Sequence, residues 1–179
     1  STQGMYMNMD LLRKAGIQAP PKTWTEFRAQ AEQFQKAMGE GYYYGYAFFH
    51  QFLWDGIAYT WGAQVSTPDG KVMLNAPEVV DMMGYFRKMY TDELLAMQPV
   101  LVGGFEEQNG AFIQGKVAFF FGYSYHLPVI RARAPKLNLA MAKMPQITGN
   151  PVVNYANYWA WTVSKNLIAP RIVSGFTCR

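Results

Sequence analysis

Two histidines, one cysteine, twelve carboxylates and a serine flanked by tyrosines are the residues of this 179-residue chain whose types could do chemistry. Ser124 stands in Gly122-Tyr123-Ser124-Tyr125-His126. That segment resembles a nucleophile elbow only in part, because the second glycine is missing and Tyr125 follows the serine. His50 and His126 lie far apart and outside any His-Glu-x-x-His spacing. Each reads as a surface or pocket hydrogen-bonding residue. Asp92/Glu93 and Glu106/Glu107 are adjacent pairs of the kind found in solvated loops, whereas an acid/base pair needs separated carboxylates facing one bond. Gly103-Gly104 lacks the further glycine and the Lys-Ser/Thr of a phosphate loop. Cys178 alone builds neither a disulfide within the chain nor a thiolate metal site. These patterns predict no catalytic residue, no cofactor and no metal centre.

The positive chemical signal is aromatic. Five Trp, twelve Tyr and twelve Phe make up 16% of the chain. Most of these rings must fill a core, but flat rings also make large contacts at little rotamer cost, which suits a concave binding site. Half the residues are hydrophobic and 16% are charged, a globular composition that argues against disorder. The net charge of +4 is dispersed, with Arg131, Arg133 and Lys136 the nearest thing to a group. A nucleic-acid binder would concentrate it on one face, so no nucleic-acid partner is expected. The start, STQGMYMNMD, has neither the basic end nor the apolar stretch of a leader, and without an initiator Met it reads as a processed chain or a fragment. The longest apolar run, around Val117–Phe121, is too short for a bilayer span.

The elements that would position these residues alternate between helix and short strand, which argues for an α/β lobe. A strand around Met5–Met7 runs into a small helix, Met9–Ala15, ended by Gly16. After Pro20-Pro21, Thr23 and Glu26 have capping-box spacing, and Trp24, Phe27, Ala31, Phe34 and Met38 form an apolar stripe. Gly39 and Gly41 stop that helix. Tyr42–Phe48 reads as a strand. His50–Gly62 reads as a helix with Leu53, Trp54, Ile57, Ala58 and Trp61 on one face. Pro68-Asp69-Gly70 joins the extended segments Gln64–Thr67 and Lys71–Leu74. Asn75 is expected to cap a further helix with Pro77 in its first turn and Val79, Met83, Phe86 and Tyr90 buried. Gln98–Glu107 reads as a loop and Asn109–Gln114 as a short helix. Lys116–Phe121 reads as a strand buried on both faces and ended by Gly122. His126–Ala132 reads as helical, and Leu137–Met141 and Tyr158–Val163 as strands.

The order of segments resembles the family 1 bacterial extracellular solute-binding proteins, the maltodextrin-binding type of ABC importer component. Tyr6-Met7-Asn8-Met9-Asp10-Leu11-Leu12-Arg13-Lys14-Ala15-Gly16-Ile17 and Pro20-Pro21-Lys22-Thr23-Trp24-Thr25-Glu26-Phe27 carry the first two matches. Leu74-Asn75-Ala76-Pro77-Glu78 and Phe112-Ile113-Gln114-Gly115-Lys116-Val117-Ala118 carry the next two. Ala134-Pro135-Lys136-Leu137-Asn138, with Met144-Pro145, adds a weaker fifth.

The resemblance implies an α/β fold: the C-terminal lobe of a two-lobed periplasmic-binding-protein (type 2) architecture. Residues 1–152 would form this lobe, with 1–8 as the entering hinge strand, and 153–165 would be the hinge strand returning to an N-terminal lobe. Residues 166–179 depart from the family pattern and read as a truncated or atypical tail. By analogy, Phe49, His50, Gln51 and Trp54 face an inter-lobe cleft, together with Gly122, Tyr123, Ser124 and Tyr125. Asn157, Tyr158 and Trp159 would border the ligand. For Trp54 and Trp61 core packing is the competing reading. The implied function is capture of a small organic solute, a sugar or oligosaccharide by preference, for delivery to the transmembrane subunits of an ABC permease. The implied location is periplasmic or extracellular, attached to the cell envelope through a lipid anchor outside this chain. The competing class is a fragment of a carbohydrate-active enzyme or a stand-alone carbohydrate-binding module. That class requires paired carboxylates in a cleft or the evenly spaced strands of a β-sandwich.

Overall fold

A computed structural model describes residues 2–45, 51–96, 104–156, 158–160 and 162, with only the backbone of 104–108. Three strands form one antiparallel sheet in the order β2-β1-β3. The strands are β1 (Gln3–Asn8), β2 (Phe119–Tyr123) and β3 (Leu139–Ala142). The central strand pairs Gln3 with Tyr123 and Met7 with Phe119 on one side, and Met5 with Ala142 on the other. Among the described residues six helices surround the sheet: α1 (Met9–Lys14), α2 (Trp24–Met38), α3 (Gln51–Thr60), α4 (Pro77–Thr91), α5 (Gly104–Ile113) and α6 (His126–Arg133).

The period-2 geometry of strands explains why β2 is apolar throughout. Met5, Met7, Phe119 and Phe121 enter the larger core with α1, α2, α3 and α4. Tyr6 and Phe120 point the other way, into a second core with Phe112 of α5 and Ile130 of α6. A sheet covered by helices on both faces needs hydrophobic residues at every strand position. The fold therefore lacks the paired sheets of a β-sandwich among its described residues.

Trp24 organises the larger core. Its ring centroid lies 5.2 Å from Phe27, 5.3 Å from Trp61, 5.4 Å from Phe86 and 5.9 Å from Phe121. Its indole N–H donates to Thr60 Oγ1 at 2.9 Å, so the one polar atom of the ring is satisfied. Helix α2 forms as its caps predict. Thr23 Oγ1 accepts from the Glu26 N–H at 3.1 Å, Glu26 Oε2 accepts from the Lys22 N–H at 2.6 Å, and Gly39 ends the helix at φ 73°.

Several elements differ from the sequence expectation. Gly122 does not end β2; the strand runs through it to Tyr123. A Cβ there would lie 2.5 Å from Phe120 Cε1 and 2.9 Å from His126 Nδ1, so close packing rather than strand termination requires the glycine. The described part of the Tyr42–Phe48 segment is not a strand of the sheet. It threads between two segments through single bridges, Tyr43 to Val117 and Gly45 to Leu95; Tyr46, Ala47 and Phe48 lie outside the described residues. Helix α4 begins one residue later than expected, with Ala76 at the N-cap and no side-chain cap. It buries Val79, Met82, Phe86 and Met89, while Met83 is exposed. The two sets share Val79 and Phe86, both fit a 3.6-residue period, and a rotation of the helix by roughly half a residue step separates them. Residues 104–107, read as loop, belong to α5. Tyr158–Trp159 are irregular and Val163 lies outside the described residues, so the expected strand there is represented only by a Thr2–Ala156 bridge just upstream.

Candidate functional site

The edge where β1 begins and β2 ends gathers polar and aromatic groups from four parts of the chain. Gln3 is buried on β1, and its Nε2 donates to the Phe52 carbonyl of α3 at 2.5 Å and to the Tyr123 hydroxyl at 3.2 Å. Its backbone carbonyl accepts from Asn154 Nδ2 at 2.7 Å. The Tyr123 carbonyl accepts from the Tyr6 hydroxyl at 2.6 Å, and the Tyr123 N–H donates to His126 Nδ1 at 2.8 Å. An accepting Nδ1 places the proton of a neutral imidazole on Nε2. His126 is thus a buried hydrogen-bonding residue that closes the end of β2, not a surface group.

The rings form a tier. Tyr123 and Tyr125 stack at 5.6 Å and 9°. Tyr155 stacks on Phe52 at 5.9 Å and 26°, and on Tyr59 at 6.3 Å and 14°. Burial pushes the Tyr123 hydroxyl up to about 12, against the lowering effect of the Gln3 hydrogen bond. Desolvation likewise raises the Tyr125 hydroxyl and the Asp55 carboxyl. It also raises Tyr59, with the negative charge of Asp55 adding to the effect. Beside this tier lies an open concavity of about 660 Å³ lined by Thr2, Gln3, Gly4, Ser124, Lys143, Gln146 and Asn154 among others. A second concavity of about 660 Å³ includes Tyr59, Glu78, Asn150 and Asn154, so residues 150–154 divide the two.

The structure brings Gly122, Tyr123, Ser124 and Tyr125 of the expected site together, with Ser124 and Tyr125 exposed. Gln51 is exposed at the first turn of α3. Trp54 sits on the opposite side of that helix from Phe52, Asp55 and Tyr59. It packs against the larger core, and its indole N–H points to the Met83 sulfur at 3.4 Å. Trp61 is a core residue. Tyr158 and Trp159 are 80% and 96% exposed. Phe49, His50 and Asn157 lie outside the described residues. The sequence reading passed over Gln3, Phe52, Asp55, Tyr59 and Tyr155. The signal that could have found three of them is the spacing Phe52–Asp55–Tyr59, which puts two rings and a carboxylate on one helical face. No cluster among the described residues could hold a metal ion, and no described helix is long and apolar enough to cross a membrane.

Known proteins share both the sequence and the fold. A candidate binding protein of Brucella abortus (strain 2308) is 28% identical over 154 residues, 81% of this chain and 36% of the relative. A candidate ABC transporter-binding protein of Deinococcus radiodurans is 28% identical over 131 residues, 68% of this chain and 30% of the relative. The chain therefore spans about a third of the length of these relatives. Among solved structures, the GacH receptor of Streptomyces glaucescens, known unliganded and with acarbose, matches with a TM-score of 0.71 at 20% identity, covering 83% of this chain and 38% of the receptor. The ABC transporter-associated binding protein of B. animalis subsp. lactis, solved with β-1,6-galactobiose, matches with a TM-score of 0.69 at 21% identity, covering 83% and 38%. These likenesses establish the α/β fold of two-lobed periplasmic solute-binding proteins. The family profile of the bacterial extracellular solute-binding proteins matches residues 1–167, nearly the whole chain, and the chain belongs to that family.

Proposed function

We propose that this chain is the larger part of the C-terminal lobe of an ABC importer's substrate-binding protein, and that it binds a sugar or oligosaccharide and catalyses nothing. Residues 1–152 form the lobe with 1–8 as the entering hinge strand, 153–165 return through the hinge, and 166–179 lie beyond it. The observation that carries the reading is the tier of stacked tyrosines at the β1–β2 edge. It is flanked by Gln3, Ser124 and Asn154, and its outer ring, Tyr125, is 53% exposed. Flat rings pack on the apolar faces of a sugar while amide and hydroxyl groups satisfy its polar edge. The rings of Tyr158 and Trp159 are exposed as well, and a second lobe closing over the site would meet them. Relatives solved with acarbose and with β-1,6-galactobiose support the choice of ligand class. The whole protein would act in the periplasm or outside the cell, lipid-anchored to the envelope, and hand its solute to the permease subunits.

A thermal-shift panel of neutral oligosaccharides on the full-length protein tests this. At least one member should raise the melting temperature in a concentration-dependent way. A flat response across the panel overturns the sugar assignment.

A further inference from the structure

We infer that Asp55, with the rings of Phe52, Tyr59 and Tyr155 around it, forms a subsite for an uncharged, hydroxyl-bearing sugar unit and excludes anionic sugars from it. This inference rests on the sugar-binding reading above and names the selectivity of that site.

Phe52, Asp55 and Tyr59 occupy positions i, i+3 and i+7 of α3, a single face of the helix. The opposite face, with Leu53 and Ile57, is fully buried. Tyr155 stacks against both flanking rings, at 26° to Phe52 and 14° to Tyr59. Asp55 is half-buried there, and no described residue hydrogen-bonds to it or pairs with it. The groups it acts on electrostatically are Tyr59 of its own helix and Tyr123 of β2, both of which it pushes up. The other charges acting on those two hydroxyls come from Tyr155 and Tyr125, and no described lysine or arginine offsets them.

A partly desolvated carboxylate with no partner costs the free protein stability. Its two oxygens offer up to about four acceptor positions, the complement of adjacent ring hydroxyls on a sugar whose apolar face rests on a tyrosine. A carboxylated sugar would instead bring a like charge up to Asp55, which disfavours binding there. Asp55 thus weakens the empty lobe and selects the loaded one.

The test is Asp55→Asn in the full-length protein, followed with and without sugar. Without ligand the variant should melt about 2–4 °C above wild type at pH 7, with the gain vanishing near pH 3, where the wild-type carboxyl is protonated. A lower melting temperature would show a structural partner for Asp55 and overturn the inference. With ligand, calorimetry using maltose, β-1,6-galactobiose and digalacturonate should show wild type preferring the neutral disaccharides. The variant should lose roughly 10- to 100-fold in affinity for them, the loss expected for hydrogen bonds to a charged acceptor. Unchanged affinity in the variant, or tighter binding of digalacturonate by wild type, removes Asp55 from the site while leaving sugar binding intact. No response to any of the sugars in wild type overturns the sugar reading and this inference with it.

Discussion

Replacing Gly56 with alanine should destabilise this fold, although the same change inside an ordinary helix stabilises it by about 0.8–1 kcal/mol. Gly56 lies in the middle of α3, and a Cβ there would fall 1.9 Å from Gln3 Oε1 and 2.5 Å from Gln3 Cδ. The Gln3 backbone is held in β1 by its pairing with Tyr123, so the amide must retreat while the strand stays. It can do so, because the end of a glutamine is flexible, and the cost is therefore its hydrogen bonds rather than a backbone clash. Two are lost, to the Phe52 carbonyl and to the Tyr123 hydroxyl. At about 0.5–1.5 kcal/mol each, less the gain in helix propensity, the net loss is about 1 kcal/mol. The nearest atoms to that Cβ all belong to the Gln3 side chain. In a Gln3→Ala background, Gly56→Ala should therefore recover the ordinary helix gain of about 0.8–1 kcal/mol. The sign of the substitution reverses with its neighbour, and the coupling energy is about 2 kcal/mol. Equilibrium urea denaturation of the four proteins, followed by tryptophan fluorescence, measures all four corners of the cycle. An effect of the same sign and size in both backgrounds would refute the reasoning.

Trp24→Ala should cost about 3–5 kcal/mol in the same assay, whereas Trp24→Phe should cost only about 1–2 kcal/mol, chiefly for the hydrogen bond to Thr60; a Trp24→Phe protein as stable as wild type would mean that the indole N–H contributes nothing. Stability should fall between pH 10 and pH 12. The Tyr6 and Tyr123 hydroxyls are pushed up to about 12 by burial, so the unfolded chain releases their protons first and gains as pH rises. Each contributes a slope of up to about 1.4 kcal/mol per pH unit, and a pH series of denaturation midpoints that stays level through this window would contradict the burial. Tyr125→Ala should leave stability within about 0.5 kcal/mol, because the ring is largely exposed. It should weaken binding of a sugar that stabilises the full-length protein by roughly 2- to 12-fold, the worth of one aromatic contact; calorimetry reads the second effect and denaturation the first.

Much of the framework was legible because its signals are local. Thr23 and Glu26 announce the start of α2, its stripe from Trp24 to Phe34 is buried as the periodicity requires, and the unbroken Phe119-Phe120-Phe121 run marks a strand covered on both sides. The face that α4 buries was not legible, because Met82/Met89 and Met83/Tyr90 satisfy the helical period equally well. Packing into the larger core, which takes in Met82 and Met89, decides between them. Gly122 misled for a related reason: a glycine after an apolar run reads as a terminator, whereas here the Phe120 and His126 side chains demand it. The candidate site was legible where the chain supplies it in one piece, as in Gly122–Tyr125. It was hidden where Gln3 meets Tyr123 across 120 positions and Asn154 meets Gln3 across 151. No spacing rule encodes such contacts; they exist only because the strands pair.

The aromatic excess that first singled out this chain divides into three populations with different physical roles. Around Trp24, the rings of Phe27, Trp61, Phe86 and Phe121 meet it edge-to-face or tilted, Phe27 and Phe121 stack on each other at 19°, and all are fully or nearly buried, so their contribution is to the stability of the lobe. Tyr6, Phe112 and Phe120 do the same work on the other face of the sheet, and Tyr6 extends its hydroxyl to the Tyr123 carbonyl. The third population, Phe52, Tyr59, Tyr123, Tyr125 and Tyr155, is arranged nearly parallel and grades from buried to exposed across the β1–β2 edge. Edge-to-face packing maximises contact between rings in a closed core. What sets the third group apart is exposure: Phe52 and Tyr125 are 44% and 53% exposed, so part of each ring is open to something outside the lobe. The hydrogen bonds of Gln3 tie two of this third group, Phe52 through its carbonyl and Tyr123 through its hydroxyl, to the first strand of the sheet, so one buried amide links the rings at this edge to the core behind them.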